Sequence, residues 1–300
     1  MAAPAVPELE PTSAAVSFRA MGTDVRVVVN PGEAVERCGA RVRAWFETVE
    51  VAASRFRDDS ELNRLARDPE VQPSDVLAAL HRQAAVVFRV TEGLVTPYTR
   101  VALEQAGYGK SFEQIGEGGS PPLQEGRART FWGELDFGGI GKGWAVGRAL
   151  ALIEDQCEGA LIDAGGDVGV VGRAKGDGIW WVDVERPGWG DVGRVGLRGG
   201  GVATSSVLRR AWDGPDGPAH HLIDPRTGLP SRGDIVQATV WARSPLWAEV
   251  AAKCLVIRGS AYAPTLRSWL PEAVLAWTTD TGAFIEDAAL REEVLSCRAR

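Results

Sequence analysis

Lys142 is the one charge inside a run of four glycines, Gly138, Gly139, Gly141 and Gly143, and the acid Asp136 stands just before them. Glycines let a backbone come close to a ligand. A helix that begins in such a run adds unpaired N–H groups and the positive end of its dipole. With an ammonium beside them, the ligand these residues would suit is a phosphate. The competing reading is a glycine-rich connection with a surface lysine. Two familiar phosphate motifs do not fit. A P-loop needs glycine and Ser/Thr where this chain has Asp136 and Gly143, and the run is G-x-G-x-G, not the G-x-G-x-x-G of dinucleotide sites.

A second group of reactive side chains lies in His220-His221-Leu222-Ile223-Asp224-Pro225-Arg226-Thr227-Gly228. Two of the chain's three histidines fall here, on a bend marked by Asp-Pro and Thr-Gly. Gly165-Gly166-Asp167 is a glycine turn that ends in an acid, and Thr204 with Ser205 and Ser206 sets hydroxyls at a strand end. A Ser-His-Asp hydrolase would want a G-x-S-x-G elbow, which is missing. A histidine-based metal site would want more ligands than His220, His221 and Asp224 supply.

The elements that must position these residues follow from periodicity. Residues 16–29 read as two short strands around Met21-Gly22-Thr23, with Val25, Val27 and Val29 alternating. Residues 33–56 read as a long amphipathic helix, 54–63 as a charged loop, and 75–91 as a helix capped by Ser74. A short helix ending near Ala106 and a polar loop over 108–130 come next. Residues 135–156 read as strand, tight glycine turn and helix. Short strands then alternate with turns, a helix spans 246–257, and a helix at 264–269, a strand at 273–278 and a hairpin close the chain. This predicts an α+β fold: a lead-in over residues 1–15 without fixed structure, then a single mixed domain over 16–300 with mainly antiparallel strands.

Composition narrows the function. The chain has 300 residues, 45% hydrophobic and 24% charged, with a net charge of -7. That balance argues against general nucleic-acid or membrane-surface binding. Four scattered cysteines form no C-x-x-C pair, and no secretory or membrane-spanning segment is evident, which points to the cytoplasm.

Taken together, the patches resemble the FAD:protein FMN transferase (ApbE) family. The match is carried by Met21-Gly22-Thr23, Ser60-Glu61-Leu62-Asn63, residues 135–143, Gly165-Gly166-Asp167, residues 202–205 and residues 221–228. The resemblance implies an α+β flavin transferase fold. It also implies a reaction in which FAD is cut at its pyrophosphate and FMN is moved to a threonine hydroxyl of an acceptor protein, releasing AMP. By residue matching, Met21 would contact the flavin, and Asp136, Gly138, Gly139, Lys142, Thr204, His221 and Ile223 would bind FAD. Asp167 would support the site from behind. Mg²⁺ would be held by the Gly139 carbonyl and by the residue at position 249.

The chain departs from the family at that metal site. Where the family has aspartate, and threonine four residues on, this sequence has Glu249 and Lys253. Glutamate can bind a hard cation, but an ammonium has donors and no acceptor. The spacing alone also fits an ordinary surface ion pair on a helix. His221, Lys253 and Glu249 are therefore the candidate catalytic side chains. Two alternatives to transfer remain: an FAD-binding protein without transferase activity, and a pyrophosphatase releasing FMN and AMP.

Overall fold

The structure is a computed structural model that describes residues 14–68, 70–115, 130–185, 192–286 and 294–298. Eight antiparallel strands form the main sheet. In spatial order they are β1 (Ala14–Ala20), β2 (Thr23–Asn30), β3 (Gly159–Ala164), β4 (Asp167–Gly172), β7 (Gly200–Ser206), β12 (Ile235–Ala242), β13 (Val274–Thr279) and β14 (Phe284–Glu286). A separate three-stranded sheet consists of β5 (Trp180–Glu185), β6 (Val192–Leu197) and β15 (Val294–Arg298). Two small hairpins complete the strands: β8 (Ala211–Gly214) with β9 (Gly217–His220), and β10 (Ile223–Asp224) with β11 (Leu229–Pro230). The helices are α1 (Val35–Ala53), α2 (Glu61–Arg67), α3 (Asp75–Val90), α4 (Arg100–Gln105), α5 (Phe112–Ile115), α6 (Gly141–Ile153), α7 (Pro245–Arg258) and α8 (Ala263–Trp269). The chain is thus a single α+β domain, and among the described residues every strand pairing is antiparallel. Among the described residues, no helix is long and apolar enough to cross a membrane.

Alternation on the strands divides the core in two. Val25, Val27 and Val29 of β2 join the large cluster beneath α1, α6 and α7. Val28 turns to the other face, where it meets Val168, Val170, Val202 and Trp241 of the main sheet and Trp180 and Leu197 of the small one. Helix α1 buries Val35, Cys38, Val42, Phe46 and Val49, an apolar stripe at helical spacing. Helix α7 differs: all its residues are buried except Trp247 and Arg258, because it packs on β7 and β12 on one side and on α6 on the other.

Four local readings change. Strand β1 begins at Ala14, two residues inside the expected lead-in, and residues 1–13 of that lead-in lie outside the described residues. Residues 61–67 are helix α2, not loop, because the Ser60 side chain caps the Asn63 N–H and Leu62 and Leu65 are buried. The expected loop over 108–130 contains the short α5, and residues 116–129 are outside the described residues. The expected strand at residues 135–137 is absent. This apolar stretch follows a 3₁₀ turn (Phe131–Glu134), and the Asp136 N–H donates to the Pro97 carbonyl at 2.8 Å, a loop partner in place of a strand.

Candidate active site

A cavity of about 410 Å³ opens where the β1–β2 turn, the loop after α1, the glycine run, the β9–β10 bend and α7 converge. Met21, Asp136, Gly138, Gly139, Lys142, His221, Ile223 and Lys253 all line it. Two expected members do not. Thr204 lies on β7, with its hydroxyl 2.9 Å from that of Thr239. Glu249 is fully buried behind the wall.

The glycine run works differently from a phosphate-cradling turn. None of its four glycines has a positive φ. Its N–H groups are largely used within the fold. Gly138 donates to Asp136 Oδ1 at 2.6 Å, and Ile140 and Gly141 donate to the Phe137 carbonyl. Gly143 donates to Glu249 Oε2 at 2.8 Å. What glycine permits at 143 is the approach of two helices: a Cβ there would stand 2.7 Å from the Pro245 carbonyl and 2.9 Å from Leu246 Cα. The Glu249 carboxylate thus occupies the first turn of α6, where the helix dipole favours negative charge.

Lys142 and Lys253 meet around that carboxylate. Lys253 Nζ donates to Glu249 Oε1 at 2.7 Å, and Lys142 Nζ lies 4.0 Å from the same oxygen. Lys142 is also bound closely to Asp167 Oδ2, and Asp167 itself is buried. Burial pushes the Lys142 ammonium down to about 7. Glu249 and Asp163 pull it back up, and Lys253 and Arg210 push it further down. An anion placed beside it would restore its charge.

His221 is half-buried in the same wall, and its Nδ1 is enclosed with no hydrogen-bond partner among the described residues. Burial, with the positive charges of Arg210, Lys253 and Lys142 and the neighbouring His220, holds its pKa well below the ordinary histidine range. The imidazole is therefore neutral at pH 7, with one ring nitrogen an acceptor. His220 is spent on structure, its Nε2 lying 2.9 Å from the Ser231 carbonyl. Asp224 and Arg226 pair with each other, Nη2 to Oδ2 at 2.6 Å, and hold the bend.

The far end of the cavity is built around two arginines that the motifs did not single out. Arg55 pairs with Asp136 and is almost wholly buried. Its guanidinium lies 4.0 Å from the Phe56 ring centroid and 4.8 Å from that of Tyr108. Its Nη2 has no hydrogen-bond partner among the described residues. Asn63 shapes this loop by donating to the carbonyls of Arg55 and Arg57 at 3.0 and 2.8 Å. Arg210 enters from the β7–β8 connection and donates to the Gly22 carbonyl at 3.3 Å. The available signal for Arg55 was its place in a stretch rich in charge and turn formers, which reads equally well as a solvated loop.

The magnesium site implied by the resemblance does not suit these residues. Glu249 Oε1 is taken by an ammonium and Oε2 by a backbone N–H. Lys253 brings donors where a cation needs a lone pair. Among the described residues, no three His, Cys, Asp or Glu side chains are grouped to hold a metal ion.

Comparisons with known proteins point to one family. The family profile described as "ApbE family" matches residues 21–275. An FAD:protein FMN transferase of Rhodobacter capsulatus is 32% identical over 161 residues, which are 53% of this chain and 30% of that protein. The Klebsiella pneumoniae protein of the same name is 31% identical over 36% of this chain and 33% of its own. The alignments thus span about a third of the length of these two curated relatives. The Vibrio cholerae FAD:protein FMN transferase is 24% identical over 80% of this chain and 79% of its own. Among solved structures, the ApbE protein of Thermotoga maritima superposes with a TM-score of 0.76 at 24% identity, covering 92% of this chain and 97% of that one. The flavin transferase ApbE of Vibrio cholerae gives 0.71 at 20% identity, covering 92% and 98%. With a family match over residues 21–275 and this fold, the chain belongs to the ApbE family.

Proposed function

We propose that the protein is an FAD:protein FMN transferase, which cleaves the FAD pyrophosphate and joins FMN through a phosphoester to a threonine of an acceptor protein. The observation that carries this reading is the convergence of Met21, Asp136, Lys142, His221 and Lys253 on one cavity from four separate segments of chain. The two ends of that cavity match the two kinds of surface FAD presents. Ammonium groups stand at one end for the phosphates. Soft and aromatic side chains, Met21, Phe56 and Tyr108, line the remainder for flat rings.

Neutral His221 suits the role of base. Its imidazole, which lines the cavity, would take the proton of the acceptor threonine hydroxyl. The threonine oxygen would then form a bond to the FMN phosphorus as the P–O bond to AMP breaks, and AMP would leave carrying the bridging oxygen. Lys142 and Lys253 would stabilise the charge on the phosphoryl oxygens. Asp167 and Glu249 hold these ammonium groups in place, and the Asp136–Arg55 pair fixes the opposite wall. No step in this scheme needs a metal ligand that the residues do not offer.

The test is incubation with FAD, with and without a candidate acceptor. AMP release that requires acceptor, with the mass of FMN gained on an acceptor threonine, is the expected result. AMP without acceptor would make the protein an FAD pyrophosphatase. Tight FAD binding with no AMP would make it a flavin-binding protein of the same fold.

A further inference from the structure

We infer that the phosphate end of this site works without a divalent cation, with the ammonium groups of Lys142 and Lys253 together supplying the positive charge. The inference rests on the flavin-nucleotide reading above. Its ground is the arrangement of four charges. Lys142 Nζ and Lys253 Nζ both approach Glu249 Oε1, at 4.0 and 2.7 Å, and Lys142 also binds Asp167. Two ammonium groups carry the charge of one divalent ion, and Glu249 and Asp167 hold them in place. The cluster is closed to a cation in a specific way. A metal binding Glu249 would have to displace Lys253 from Oε1 or break the Gly143 N–H bond to Oε2. Displacing Lys253 would press an ammonium against a dication in a wall where Lys253 is 8% exposed and Glu249 0%.

The same arrangement leaves the lysines able to receive a phosphate. Each ammonium has three donors, and both lysines face the cavity. The first turn of α6 cannot do this through the Gly143 N–H, which is committed to Glu249. Recognition of phosphate charge therefore passes from backbone and metal to two side chains. The ammonium groups hold and neutralise phosphoryl oxygens but do not coordinate them, so the site should respond to lysine substitution and not to chelation.

The experiment is FAD binding by flavin fluorescence in excess EDTA and in millimolar Mg²⁺, with Mn²⁺ electron paramagnetic resonance on the same protein. For the natural sequence we expect affinities that agree within about twofold, against the fivefold or larger coupling typical of linked ligands, and no immobilised Mn²⁺ with or without FAD. The double variant Glu249→Asp with Lys253→Thr should bind FAD weakly in EDTA and recover affinity when Mg²⁺ is added. Tightening by about tenfold or more in Mg²⁺, or one bound Mn²⁺ per chain in the natural protein, would overturn this inference and leave the flavin reading intact. Absence of FAD binding under both conditions would overturn the flavin reading, and this inference with it. Because the measurements on the natural protein decide the matter, the inference stays testable if the double variant does not fold.

Discussion

The two ends of the cavity hold their charges in opposite ways. At the α6–α7 end, Glu249 is fully buried, and its oxygens are bound by a lysine and a backbone N–H between closely packed helices. At the Arg55 end, the guanidinium pairs with one carboxylate, lies against two aromatic rings and leaves Nη2 without a partner among the described residues. The first end fixes point charges by packing, as suits the placing of phosphoryl oxygens. The second offers planes and a delocalised cation, as suits stacking against flat rings. The difference teaches where rigidity is spent: on the end where a bond would be made and broken.

Substitutions can break this contrast or sharpen it. The largest effect should come from the base. We predict that His221→Gln slows transfer by about 10²–10⁴-fold, the usual contribution of a positioned base, with FAD affinity unchanged. A rate within tenfold of the natural protein would remove His221 from the chemistry. Its titration gives a related sign. The folded-state pKa is held well below 6.5, so an unfolded chain takes up this proton first as pH falls. His221 therefore favours folding fully above about 6.5 and progressively less below it. Denaturant titrations across that range should show stability falling on acidification, and His221→Gln should flatten the fall.

Lys253→Met should destabilise the fold by about 3 kcal/mol, the lower part of the range for removing one partner of a buried pair, since Lys142 remains near Glu249. Adding Glu249→Gln should recover most of the loss. A urea-midpoint change equivalent to less than about 1 kcal/mol would mean that Gly143 and Lys142 alone hold the carboxylate. Lys142→Ala should weaken FAD binding by about 1.5–3 kcal/mol, the range for hydrogen bonds to charged groups. Unchanged affinity in a fluorescence titration would sink its phosphate role. At the aromatic end, Tyr108→Leu should cost about 0.5–1.5 kcal/mol of FAD affinity, with no change in the response to EDTA. A larger loss there than at Lys142 would reverse the division of labour between the two ends.

The fold was legible where pattern and burial coincide. The valines of β2, the Ser74-capped α3 and the apolar stripe of α1 follow from alternation, capping and helical spacing. The LDF segment was misread because an apolar run announces burial and not the partner that buries it, which here is a loop carbonyl. The glycine run was read as room for a ligand, and at Gly143 it proved to be room for a helix. Spacing alone allowed Glu249 and Lys253 to be a surface pair. Yet the sequence around them, PLWAEVAAKCLVI, is apolar on every side, and a helix apolar all round is a buried one. Arg55, Tyr108 and Arg210 were not singled out, because three distant segments bring them together and no local spacing encodes that meeting.

Met21 stands at the β1–β2 turn with φ 52°, a left-handed conformation, and its N–H donates to Glu50 Oε2 at 3.1 Å. A side chain in that conformation costs about 1–2 kcal/mol, partly offset by the roughly 0.5–1 kcal/mol of extra freedom that glycine loses on folding. Glycine would be the comfortable occupant of this corner, yet a methionine faces the cavity from it. The usual ranking of substitutions should therefore invert here, with Met21→Gly at least as resistant to denaturant as Met21→Ala while both lose flavin affinity. The turn would then be a place where the sequence has drifted away from what its own backbone prefers, and a survey of tolerated residues would mistake a concession to the ligand for a structural requirement.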